Sequence, residues 1–405
     1  MMDRDGEPLR VAFFTDCFHE VNGVALTSRQ LHAYALRQEL PFFSVHAGPE
    51  TRVFQQGSAT VCELKRSRWS WTVDSDLSFD PLFQRHWQRA REALEAFQPD
   101  VIHTTSLGDC SIMGAAMAHE LRLPLVISWH TNLHEFGACR LLHALRFVAP
   151  EYQKRIKGFL EPELLRSIMH FYRIGRVLLA PNPELVSLLE SRTGKRAYLM
   201  QRGVDTDLFS PARRNRQNDP FVMGYVGRLS VEKNVRFLAE IEQALLAAGE
   251  RNFRFVIVGQ GSELDWLRAN LQQAEFPGVL RGEALANAYA NFDLFVFPSH
   301  TDTFGNVVLE SLASGVPVLA TNSGGPRFLV QHGVTGFVAW QPEDFARRAR
   351  VLMNDRPLRD TMSRAAREYA LAMTWDRVFE RVYRSYRSCF EPAQSLTQAA
   401  PARQW

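Results

Sequence analysis

The 405 residues are 46% hydrophobic and 22% charged with a formal net charge of +3, which excludes a disordered or fibrous chain and a dedicated duplex-binding protein. Such a length exceeds what one core usually supports and predicts two domains. Five scattered cysteines, Cys17, Cys62, Cys110, Cys139 and Cys389, show neither C-x-x-C nor zinc-knuckle spacing and read as free thiols of a reducing compartment.

Met1 to Arg10 is charged and lacks the apolar stretch of a signal peptide, and no run of about 18 apolar residues follows, so a cytoplasmic protein is expected. Leu9 to Phe14 (LRVAFF) predicts a buried parallel strand leading through VNGV, with Gly23, into a helix. Further strand-like runs at Phe42 to His46, Val101 to Thr104, Leu125 to Trp129, Val177 to Ala180 and Ala197 to Met200 alternate with helical periodicity, the pattern of α/β layers. His130 follows one such strand at its C-terminal end.

Residues 146–176 mix seven Lys/Arg with three Glu and several aromatic residues. This segment suits either an anionic membrane surface or amphipathic helices packed on a sheet. A polar stretch, 205–220, reads as a linker between an N-terminal domain of 1–204 and a second domain of 221–374. In the latter, FVMGYVG, FRFVIVG, VLRG, DLFVFP, PVLAT and TGFVA read as strands. Helices are predicted over 342–390, with 375–390 as a last helix and 391–405 as a disordered tail. Two doubly wound domains of this kind bind ligands at the C-terminal ends of their strands, in a cleft between them.

The most informative stretch runs from Phe297 to Thr321, where a strand ends, a polar loop crosses Gly305, and a helix begins near Asn306. Asp302 precedes that helix and Glu310 lies about one turn inside it. Free amides at Asn306 and Val307 suit a diphosphate, and the flanking carboxylates suit sugar and ribose hydroxyls.

Asp302-x7-Glu310 resembles the E-x7-E signature of family 4 retaining glycosyltransferases of the GT-B fold, with Asp in place of the more frequent Glu. GYVGRLSVEKNV, QRGVDTDLFSP, VIVGQGSE, TDCFHEVNGV and SWHTN are similar to further elements of that family, in its order. The resemblance implies two Rossmann-like domains, the second binding a nucleoside-diphosphate sugar. It implies that Arg228 and Lys233 neutralise the donor diphosphate, that Glu310 holds the ribose, and that His130 and Asp302 face the donor sugar. It also places Gly23, Gly282, Phe304, Gly305, Asn306 and Val307 against the donor. The last helix is implied to cross back to the first domain.

The TDTFGNVVLE wording resembles the branch with GDP-mannose-dependent α-mannosyltransferases and glycolipid synthases. That implies hexose transfer, with mannose favoured, to a lipid or glycan acceptor at the inner face of a membrane. No nucleic acid, cofactor or metal is expected. No D-x-D element marks a metal-bound diphosphate, and His130 and His134, four apart, lack a third ligand.

Two other readings stand beside this one. VIVGQGSE followed by Glu283 suits a nicotinamide-dependent oxidoreductase, although Leu264 occupies the third glycine position. A noncatalytic sugar-nucleotide or glycan-binding subunit would keep the same fold.

Overall fold

A computed structural model describes residues 7–20, 22–74, 77–105, 107–132, 150–216 and 220–391. The chain forms two compact units. The first holds the described residues up to Gln201 together with those from Phe379 onward, and the second is Arg202–Val378.

In the first unit the strands are β1 (Val11–Thr15), β2 (Phe42–Gly48), β3 (Arg52–Gln56), β4 (Ala59–Lys65), the hairpin β5 (Trp71–Asp74) and β6 (Leu77–Phe79), β7 (Val101–Thr104), β8 (Leu125–Ser128), β9 (Val177–Ala180) and β10 (Arg196–Leu199). Eight of them make one sheet in the order β10-β9-β8-β7-β1-β2-β4-β3, in which only β3 runs antiparallel. Every residue of β1 is buried, as a strand covered on both faces requires. Burying Phe13 and Phe14 there stabilises the fold by roughly 1.5–3 kcal/mol each.

The helices of this unit are α1 (Gly23–Arg37), α2 (Trp87–Phe97), α3 (Asp109–Glu120), α4 (Pro150–Tyr172) and α5 (Pro183–Thr193). Asn22 caps α1 by accepting the Ala25 N–H at 2.7 Å. The α3 N-terminus is capped by a distant carboxylate, Asp16, which accepts the Cys110 N–H at 2.8 Å and the Ser111 hydroxyl at 2.5 Å.

The second unit contains β11 (Phe221–Val226), β12 (Phe253–Val258), β13 (Ala274–Gly278), β14 (Leu294–Phe297), β15 (Val318–Thr321) and β16 (Gly336–Ala339). They form a parallel sheet in the order β13-β12-β11-β14-β15-β16, with order reversing beside β11 as in a doubly wound fold. Its helices are α6 (Phe237–Ala247), α7 (Leu264–Asn270), α8 (Gly282–Ala290), α9 (Asn306–Ala313), α10 (Pro342–Asn354) and α11 (Arg356–Leu371). The last helix, α12 (Trp375–Arg387), starts in this unit, but from Phe379 it belongs to the first. There Phe379 and Tyr383 lie 5.5 and 5.9 Å from the Tyr34 ring, centroid to centroid.

The structure corrects three sequence expectations. Residues 205–216, the described part of the stretch 205–220 apart from Pro220, are no free linker: the change of unit falls between Gln201 and Arg202, and Phe209 is buried in the second core. Arg214 meets the buried Asp293 at 2.7 Å and Arg216 pairs with the same carboxylate. The charges of Arg214 and Arg216 are therefore partnered, which holds this part of the segment to the second unit without apolar periodicity. The edge strand lies at Ala274–Gly278 rather than at VLRG. It contains Pro277, opposite a bulge between Val256 and Val258, where an edge strand tolerates a missing N–H. Finally, the β3–β4 hairpin, turned at Gly57 with φ 55°, adds two strands that the alternation of helix and strand did not suggest. Residues 392–405 and 133–149 lie outside the described residues.

Candidate functional site

In the second unit, two loops at the C-terminal ends of adjacent strands are tied together. After β11, Gly227 with φ 155° turns the chain into Arg228–Asn234. After β14, residues 298–305 lead into α9. The Thr301 hydroxyl donates to the Glu232 carbonyl at 3.2 Å and the Asn234 amide to the Pro298 carbonyl at 3.3 Å. Lys233 Nζ reaches Asp302 Oδ1 at 2.7 Å. The other oxygen, Oδ2, is buried without a hydrogen-bond partner among the described residues. Arg228 is about two-fifths exposed, and one of its guanidinium nitrogens lies 3.9 Å from Glu232.

Gly305, at φ 99°, sets the start of α9 in a backbone conformation that side chains rarely adopt. Phe304 is buried just before it. The Val308 N–H is returned to the Gly305 carbonyl at 3.0 Å, whereas among the described residues the Asn306 and Val307 amides have no partner. They form a site for negative charge at the positive end of the helix. One turn further, Glu310 accepts the Tyr289 hydroxyl at 2.9 Å. Burial pushes its carboxyl up to about 7, with the Tyr289 hydrogen bond pulling the other way. Near neutral pH this group is therefore poised between acid and carboxylate.

Arg228, Lys233, Asp302, Phe304, Gly305, Asn306, Val307 and Glu310 thus belong to one loop-and-helix assembly. Gly282 does not join it by any hydrogen bond among the described residues. It opens α8 with φ 53° in an exposed position. The glycines of VIVGQG have a packing role: a Cβ on Gly259 would stand 1.9 Å from the Gly227 carbonyl oxygen, and one on Gly261 2.2 Å from that of Leu229. They admit the β11 loop, so the turn does not offer an open dinucleotide cradle.

The sequence reading missed Tyr289, Gly324 and Gly325. Gly325 donates its N–H to the Asp302 carbonyl at 2.6 Å, and a Cβ there would lie 2.1 Å from the Thr303 carbonyl oxygen. The wording NSGGP after β15 carries the available signal, since paired glycines mark close backbone approach.

In the first unit, Gly23 is the exposed first residue of α1. His130, just beyond β8, is 7% exposed and sits at the end of a buried hydrogen-bonded chain. Tyr386 OH meets His103 Nδ1 at 2.8 Å, His103 Nε2 meets Ser128 Oγ at 2.8 Å, and Ser128 Oγ meets His130 Nε2 at 2.7 Å. Ser128 also faces the Thr104 carbonyl at 3.3 Å. The serine has one proton for three neighbours, and a carbonyl only accepts, so at least one imidazole must donate from Nε2. Burial pushes the His103 pKa down to about 3, so this ring is neutral. The chain therefore couples the tautomer of His130 to a residue of α12. His103, Ser128 and Tyr386 were not singled out from sequence, because Tyr386 is 283 positions from its partner.

Cys17, Cys62, Cys110 and Cys389 are buried free thiols, and Cys139 lies outside the described residues. In α4, Ile168, Met169 and Tyr172 are buried on the core while Phe159 is 70% exposed. Among the described residues no helix is long and apolar enough to cross a membrane.

Comparison with known proteins bears on both units. Residues 208–369 match the profile described as "Glycosyl transferases group 1", and residues 21–208 match "Glycosyltransferase Family 4". A GDP-mannose-dependent alpha-mannosyltransferase of Mycobacterium tuberculosis is 31% identical over 77% of this chain and 78% of its own. Sulfoquinovosyl transferase SQD2 of Arabidopsis thaliana is 32% identical over 69% of this chain, and the chain spans about half, 54%, of that relative's length. Sucrose-phosphate synthase from Thermosynechococcus elongatus shares the fold, with a TM-score of 0.70 at 17% identity over 94% of this chain and 99% of its own.

Proposed function

Because the chain belongs to glycosyltransferase family 4 and has the GT-B fold, we propose that it is a retaining glycosyltransferase that moves a hexose, with mannose favoured, from a nucleoside-diphosphate sugar to a lipid or glycan acceptor. The observation that carries this reading is the start of α9 in the second unit. Unpartnered amides at Asn306 and Val307 stand at the head of α9, in the same assembly as the loop that carries Arg228 and Lys233.

The chemistry follows from charge. As the bond between sugar and phosphate breaks, negative charge grows on the diphosphate, and preorganised cations and amides stabilise it more than they stabilise the intact donor. Lys233 leaves Asp302 to meet the phosphate, which frees both carboxylate oxygens for sugar hydroxyls. Glu310 accepts the ribose hydroxyls, and His130 contacts the donor sugar. The leaving phosphate takes the acceptor's proton on the same face of the sugar, so the anomeric configuration is retained. This route uses no metal, since two cations and a helix terminus supply the positive charge. The GDP-mannose dependence of the Mycobacterium tuberculosis relative supports mannose as the sugar.

A thermal-shift panel of GDP-, UDP- and ADP-sugars on the full chain tests the reading. One family of donors raises the melting temperature, and the same donor supports transfer in excess chelator with retention at the anomeric carbon. Absence of any shift, or transfer that stops on chelation, refutes it. The acceptor is reached from a cytoplasmic membrane face, with α4 resting on anionic lipid through Phe159. Sedimentation with anionic vesicles, diminished by Phe159→Ser, tests that part separately.

A further inference from the structure

The first unit carries a second cluster of chemically active side chains, away from His130. His46 lies on β2 and Glu63 on β4, and the two strands pair so that these residues are in register. In-register residues of neighbouring parallel strands project from the same face of the sheet, so imidazole and carboxylate stand side by side. His19, on the loop after β1, completes the group, with one ligand atom from each of the three residues within 4.8 Å of the others.

The hydrogen bonding of the cluster determines which atoms are bare. His46 Nδ1 lies 3.2 Å from the Ala47 carbonyl, and a carbonyl only accepts, so the proton of the neutral ring is on Nδ1. Nε2 is then an unprotonated lone pair, and it is buried with no partner among the described residues, on a side chain belonging to a residue only 1% exposed. Glu63 is held through Oε2 by Arg52 Nε at 2.6 Å. Its Oε1 faces His19 Nε2 across 3.6 Å, longer than a hydrogen bond. Phe18 stacks on the His46 ring at 4.0 Å and fixes its plane. Three ligand atoms therefore converge, with His46 Nε2 carrying no proton. Backbone carbonyl and guanidinium stand behind two of them, as the outer partners of metal ligands do.

We propose that His19, His46 and Glu63 bind a divalent transition-metal ion of the zinc class. Two imidazoles and one carboxylate are a ligand set for such an ion, and a tetrahedral site would keep its fourth position for water or a hydroxyl. Its ligands come from the loop after β1, from β2 and from β4, and none of them is a residue given a role in the donor chemistry proposed above.

The full chain, stripped with a chelator and dialysed, is titrated with Co2+ and followed by visible ligand-field absorption. The expected result is one Co2+ per chain in four-coordinate geometry, displaced by Zn2+. His19→Ala and Glu63→Gln each weaken binding by at least about tenfold, the scale on which even outer partners of a metal act. His19 is half-exposed, so its substitution leaves the fold intact, as circular dichroism will confirm. Failure of the wild-type chain to bind either ion overturns the proposal. So does undiminished binding in both variants, which would locate the ion on other histidines.

Discussion

Glu310 shows how far one residue's surroundings can move its chemistry. Its ordinary value of 4.5 rises to about 7 through burial. Between those values the unfolded chain releases the proton and the folded chain keeps it, so folding stability falls as pH rises across that window and levels above about 7. The full shift corresponds to about 3 kcal/mol, less to the extent that water reaches the carboxylate. Urea denaturation from pH 4 to 8 is expected to show this loss in the wild type and a flatter profile in Glu310→Gln. Nucleotide affinity runs the opposite way: ribose hydroxyls donate best to the carboxylate, so binding tightens as pH passes about 7, and Glu310→Gln weakens and flattens it. Lys233→Ala is expected to lower kcat by about a hundredfold or more, the usual cost of removing one preorganised electrostatic contact. Ser128 touches His130 and, on the proposed reading, acts through it. Ser128→Ala should lower kcat by roughly tenfold to a hundredfold, as small misplacements of reacting groups do. KM would change little, and Ser128→Thr, which restores a hydroxyl, would recover most of the rate. An inactive His130→Ala with a fully active Ser128→Ala would show that the histidine needs no such support.

At the scale of elements, the second unit's site depends on loops that pass within contact distance of each other's backbone. Gly325→Ala puts a methyl group against the Thr303 carbonyl, and Gly259→Ala does the same at the Gly227 carbonyl. Each is expected to cost about 1–3 kcal/mol, the range for overpacking a closed position. The two differ in function: Gly325→Ala shifts the loop that leads into α9 and so weakens nucleotide binding measured by calorimetry, beyond what lost stability explains. These contacts also indicate what could be read from sequence. The strand ends, the helix start near Asn306 and the carboxylates on either side were legible because a parallel strand, a glycine turn and a helix leave a strong local signature. Tyr289 was not, since nothing local connects an α8 tyrosine to an α9 carboxylate. The edge strand at Ala274–Gly278 was also missed, because Pro277 argues against a strand wherever both edges need hydrogen bonds, and this strand has only one partner.

For the whole molecule, a nucleotide diphosphate that binds the second unit stabilises that unit directly. At one hundred times its dissociation constant the gain is about 2.7 kcal/mol by mass action. Native-state hydrogen exchange is expected to show this as slowed exchange across β11, β14 and α9, with β1 and β7 of the first unit changed less. Equal protection of both sheets would mean that they open together. The α/β character of both units could be read in advance from alternating strands and helices. Their true boundary could not, because Arg214 and Arg216 look solvated until Asp293 is found between them. Tyr386 reaches His103 only because the chain returns to its first unit after completing its second. This has a consequence for biosynthesis. A ribosome releases the second unit whole while the first still lacks its closing helix, so the earliest-made half is the last to be finished. A nascent chain stopped short of Phe379 would leave Tyr34 without the rings of Phe379 and Tyr383 and His103 Nδ1 without Tyr386, a ready target for chaperones and proteases.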